Sequence, residues 1–194
     1  ISGPAAGHAR MRTSADPEGR TALGALNCCS GGTTPWGTLL IGEENIDHHF
    51  HGDPSKTSEA RNHARMLVGL HEEFVWSRVL DRFDVQKEPN EANRFGWVIE
   101  VDPYDPASVP VRRTALGRFK HEGATCVVDP DGRVVLYLGD DDEFEFVYKF
   151  VTAAAYDAKH PEKNKDLLDA GTLYAARFTS DGKVHWLRLV HGEG

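Results

Sequence analysis

The chain has 194 residues, enough for one ordinary domain with a sizeable core, and its 40% hydrophobic content excludes a disordered polymer. With 30 acidic side chains against 22 basic ones, the formal net charge is −8, which argues against a general nucleic-acid or anionic-membrane binder. No apolar run approaches the roughly 18 residues that a membrane-spanning helix needs.

In chain order, the first β-type run covers residues 38–41. Residues 58–79 follow, rich in Ala, Arg, Leu and Glu, and the spacing of Leu67, Leu70, Phe74 and Val75 predicts a helix there. Further β-type runs lie at 96–101, 125–128, 133–138, 144–151, 173–178 and 184–190, with a second short helix expected over 152–159. Two turns are legible. Asp129-Pro-Asp-Gly-Arg133 and Ser180-Asp-Gly-Lys183 each put Asp-Gly between β runs, where glycine can take positive φ and close a hairpin. The class is therefore mainly β, and the spacing alone leaves sandwich, barrel and propeller open. Both ends read as cuts, so residues 1–194 are expected to form a single segment, an incomplete part of one domain.

The densest motif is Asn27-Cys-Cys-Ser-Gly-Gly-Thr-Thr-Pro-Trp-Gly-Thr38, followed by Leu39-Leu-Ile-Gly-Glu-Glu-Asn45. Glycines let the backbone approach an ion closely, a thiolate is a soft anionic ligand, and carboxylates satisfy hard cations such as calcium. The same residues also fit a buried cysteine beside a tight turn and a solvated acidic strand end. Cys28, Cys29 and Cys126 do not make a disulfide framework, and the adjacent pair lacks zinc-knuckle spacing.

Downstream, Gly117-Arg-Phe-Lys-His-Glu-Gly-Ala124 places His121 and Glu122 between β runs, and Val134-Val-Leu-Tyr-Leu-Gly-Asp-Asp-Asp-Glu143 ends a strand in four acids. Such acids repel one another unless they are solvated or bound to a cation. His48, His49, His51, His63 and His71 invite a zinc assignment, but His48-His-Phe-His51 lies in a polar loop, where histidines are commonly just solvated. Trp36, Trp97, Trp186, Phe144 and Phe146 read as inter-strand packing.

Together these blocks resemble the PhoX-type alkaline phosphatase family. The resemblance is carried by Gly3-Pro-Ala-Ala-Gly-His8, Thr13-Ser-Ala-Asp-Pro17, the Cys/Gly-Gly/Thr-Pro-Trp-Gly block, Lys87-Glu-Pro-Asn90, Arg94-Phe-Gly-Trp-Val98, Arg118-Phe-Lys-His-Glu-Gly-Ala124, Gly139-Asp-Asp141 and Tyr148-Lys-Phe150. It implies part of a six-bladed β-propeller with inserted short helices, calcium ions and an iron pair in its channel, and hydrolysis of small-molecule phosphate esters after export to the periplasm or beyond. Carried over by motif, Cys29 is the expected iron ligand, Glu43, Glu44, Glu122, Asp140 and Asp141 are expected metal ligands, and Glu122 and His121 the expected catalytic pair. Cys28 stands where the family usually has asparagine. The rival readings are a calcium-dependent propeller lactonase and a non-enzymatic calcium-binding scaffold.

Overall fold

Apolar side chains at alternate positions of 134–138 and 148–150 demand a sheet with one buried face. The computed structural model, which describes residues 1–70 and 73–190, provides it. His71 and the last four residues of the chain lie outside the described residues.

Among the described residues there are nine strands in two antiparallel meanders. The first contains β1 (Cys28–Thr33), β2 (Leu39–Glu43), β3 (Val98–Val101) and β4 (Val111–Arg112), in that spatial order. The second contains β5 (His121–Val128), β6 (Arg133–Asp140), β7 (Val147–Ala155), β8 (Gly171–Phe178) and β9 (Val184–Leu189). Both expected Asp-Gly hairpins are present: Gly132 and Gly182 take φ of 84° and 78°. The Asp129 and Thr179 N–H groups donate to the Arg133 and Lys183 carbonyls at 2.8 and 3.0 Å.

The main core lies between the sheets. Leu136 faces Phe150 and Leu138 faces Tyr148 across the β6–β7 ladder, and these side chains pack with Leu40, Val98, Leu116, Phe119 and Ala124. β1 and β2 lie directly on β5, and only glycine permits that approach. A Cβ on Gly32 would stand 2.1 Å from the Ala124 carbonyl oxygen, and one on Gly42 would stand 2.3 Å from that of His121. A second core of Leu26, Ile46, Phe50, Met66, Val68, Phe83, Val85, Ala92 and Phe95 fills the long connection between β2 and β3.

Both helix expectations need correction. Among the described residues of 58–79 the α-helical part is α1 (Ala60–Arg65), with a 3-10 turn at Trp76–Arg78. Leu67 and Gly69 take φ of 54° and 87°, which ends the helix. Leu70, Phe74 and Val75 are 60%, 39% and 45% exposed rather than forming a buried stripe. Over 152–159 the alanines continue β7 to Ala155, because β8 offers ladder partners such as Gly171 opposite Thr152; tertiary pairing overrides helix propensity. Each sheet is an up-and-down meander, and no closed ring of sheets forms among the described residues. No helix among them is long and apolar enough to cross a membrane.

Candidate metal centre

The two sheets are broken at the same point. β1 pairs with β2 from Cys28↔Glu43 and resumes only at Gly31↔Ile41, while β5 pairs with β6 from His121↔Asp140 and resumes at Ala124↔Leu138. The irregular residues are therefore Cys29-Ser30 in one sheet and Glu122-Gly123 in the other. Such bulges re-aim side chains at the ends of strands. Cys29 and Glu122 both emerge exposed.

Glu44 follows β2 and Asp141 follows β6, so the second acid of each pair extends just past the strand end. Glu44 interacts electrostatically with Asp141, Cys29 and Glu122. Burial, then the charges of Asp141 and Glu122, together raise the Glu44 carboxyl above the ordinary glutamate value, against the lowering contact from Cys29. The Ser30 backbone N–H pulls the Cys29 thiol down. Desolvation and the charges of Glu44 and Glu122 outweigh it, so the thiol is raised overall. Cys29, Glu44, Glu122 and Asp141 thus form one electrostatically coupled group drawn from two sheets. Carboxyl groups gathered in this way repel one another once ionised, a repulsion that a cation relieves.

The donor types suit the ions that the resemblance implies, since carboxylates match calcium and a thiolate with carboxylates matches iron. Convergence is incomplete: among the described residues, no three His, Cys, Asp or Glu side chains close into a metal-sized group. A recess of about 310 Å³ opens beside the group, lined in part by Ser30, Glu122, Gly123 and Gly139.

Three of the expected residues stand apart from this group. Glu43 is 0% exposed and its oxygens are occupied by Arg112 at 2.8 and 3.2 Å and by the N–H groups of Leu26, Gly96 and Trp97. Asp140 turns its fully buried side chain to Arg65 at 2.7 Å and accepts from the Lys120 N–H at 3.2 Å. His121 is 0% exposed, its ring centroid 3.8 Å from that of Phe119 and its Nε2 3.0 Å from the Gly117 carbonyl oxygen. Desolvation pushes its pKa down to about 4. Alternation along β5 sends position 121 inward to pack on Phe119 and 122 outward.

The histidine-rich stretch disperses: His48 contacts Glu73 at 2.9 Å, His49 lies against Phe74 and Trp76, and His63 is buried in α1. Burial raises Cys126 to about 12, which leaves it an unreactive thiol. Sequence reasoning missed Arg65 and Arg112, whose partners lie 75 and 69 residues away in sequence; no local pattern marks such pairs.

A family model described as "Alkaline phosphatase PhoX" matches residues 1–194. No curated protein matches the chain. Among solved structures, the fold is similar to that of Pseudomonas fluorescens PhoX in complex with vanadate, a transition state analogue. The TM-score is 0.93 at 45% identity, and the match covers 100% of this chain and 35% of that one.

Proposed function

Because the chain belongs to the alkaline phosphatase PhoX family, we propose that Cys29, Glu44, Glu122 and Asp141 supply one side of the metal centre of a phosphatase acting on small phosphate esters. The observation that carries this reading is the coupled thiol-and-carboxylate group at the paired bulges. The solved relative held vanadate, described there as a transition-state analogue, in keeping with a phosphoryl-transfer centre.

On this reading Cys29 holds iron, and Glu44, Glu122 and Asp141 are shared between iron and calcium. Bound cations would offset charge on the phosphoryl oxygens and on the departing oxygen as the ester bond breaks. The chain's own residues prepare that chemistry. The bulges aim Cys29 and Glu122 outward, Glu44 and Asp141 bring a carboxyl from each sheet to the site, and the clustered carboxylates repel a phosphate ester until cations are in place. A lactonase centre built from carboxylates would have no use for Cys29 in the group, and a scaffold would have no turnover.

The proposed architecture is a six-bladed propeller to which these sheets contribute blades, in an enzyme exported to the periplasm or secreted. Residues 1–194 alone would then lack turnover, having only part of the coordination shell. The test is elemental analysis of the full-length protein combined with hydrolysis of a chromogenic phosphate monoester before and after chelation. Bound calcium and iron with chelator-sensitive turnover support the reading; turnover unchanged in protein verified to be free of metal would refute it.

A further inference from the structure

The same device is built twice. In each sheet the residue before the outward acid is a second carboxylate that turns inward, Glu43 before Glu44 and Asp140 before Asp141. Each inward acid pairs in register with the residue just before a bulge, Glu43 with Cys28 and Asp140 with His121. The backbone beyond is tied alike: the Glu44 N–H donates to the Asn27 carbonyl at 3.1 Å, and the Asp141 N–H donates to the Lys120 carbonyl at 3.0 Å. Each inward carboxylate ends on an arginine, Glu43 on Arg112 at 2.8 Å and Asp140 on Arg65 at 2.7 Å.

The arginines differ in origin. Arg112 belongs to β4 of the same sheet as Glu43, and it is buried. Arg65 is the last residue of α1, in the connection between β2 and β3, and it reaches across to the second sheet, where Nη2 also meets Glu145 at 3.1 Å. Successive side chains on a strand leave on opposite faces. Glu44 and Asp141 follow directly on those strands with their own N–H groups tied to the partner strand's side, so holding the inward carboxylate restrains the direction in which the next residue points.

Resting on the metal centre proposed above, we propose that Arg65 and Arg112 are positioning residues: by anchoring Asp140 and Glu43 they aim Asp141 and Glu44 into the coordination shell. The connection that carries α1 is then a working part of the site, because it holds the second sheet's outward acid in place. Partners one shell out from a metal typically change its affinity by about 10- to 100-fold.

The test uses the full-length protein with Arg65→Ala, Asp140→Asn, the double variant, Arg65→Lys and Glu145→Gln. Arg65 is preferred to Arg112 because removing the buried Arg112 would leave Glu43 uncompensated in the core. The reading is the chelator concentration that removes half of the bound calcium and iron, followed by elemental analysis, with thermal midpoints measured alongside. We expect Arg65→Ala to lower that concentration by about tenfold or more, the double variant to be no worse than Asp140→Asn, Arg65→Lys to restore part of the loss, and Glu145→Gln to behave as wild type. An unchanged metal-loss midpoint in Arg65→Ala, even with a lower thermal midpoint, would overturn the inference. So would losses that multiply in the double variant, since Arg65 would then act other than through Asp140. A wild-type protein without metal or turnover would instead overturn the proposed function, and this inference with it.

Discussion

Glu44 and Asp141, each just past the end of a strand in a different sheet, act on one another electrostatically, and the charge of Glu122 adds to theirs in raising the Glu44 carboxyl. Carboxyl groups gathered this way repel one another once ionised, and a cation between them removes the repulsion. Calcium binding should therefore stabilise the folded protein by linkage, by about 2.7 kcal/mol when free calcium is 100 times its dissociation constant. Chelation of the full-length protein should lower its thermal midpoint by several degrees and calcium should restore it. A midpoint indifferent to both would argue against cation binding here.

The adjacent thiols should behave differently. Cys29 lies at the bulge and feels the charges of Glu44 and Glu122, whereas Cys28 pairs in register with the inward-facing Glu43 and feels the charges of Glu43 and Arg112. Cys29→Ala should strip iron and any thiolate-to-ferric absorption band from the full-length protein, and Cys28→Ala should retain most of both. Equal loss of iron from the two variants would undo this assignment.

Glu122→Gln nearly preserves shape while removing an anionic ligand. Glu122 is exposed at its bulge, so the fold should survive while turnover falls by at least 10- to 100-fold and metal content drops. Wild-type turnover with full metal content would make Glu122 an ordinary strand-end residue.

The local features of the candidate site are legible in the sequence, and the limits are physical. The Asp-Gly turns and the Gly-Gly after Cys29 are local constraints, and the structure uses them as hairpins and as the close contact of β1 with β5. The acidic doublets were legible as doublets. Which member faces the cluster was not, because that depends on bulges at Cys29 and Glu122 and on Arg65 and Arg112, all set by long-range pairing. The alanines of 153–155 misled for the same reason: their local preference is helical, but β8 lies alongside.

Acid should unfold the protein in part through His63. It is 0% exposed, and desolvation, followed by the Arg118 charge, holds its pKa below the ordinary histidine value. A depressed folded value means the unfolded chain takes up the proton first, so stability is intact above about pH 6.5 and declines as pH falls through that value toward the lower folded one. His63→Gln should flatten the stability profile below about pH 6.5. A profile as steep as that of wild type would remove His63 from the account.

The most direct test of the central claim is elemental analysis of calcium and iron per chain in the full-length protein and in its Glu44→Gln/Asp141→Asn variant, paired with phosphate-monoester turnover. The variant should fold, with an unchanged circular dichroism spectrum, yet lose metal and turnover together. A folded variant that keeps the wild-type metal content and turnover would show that these carboxyl groups are not part of the metal centre.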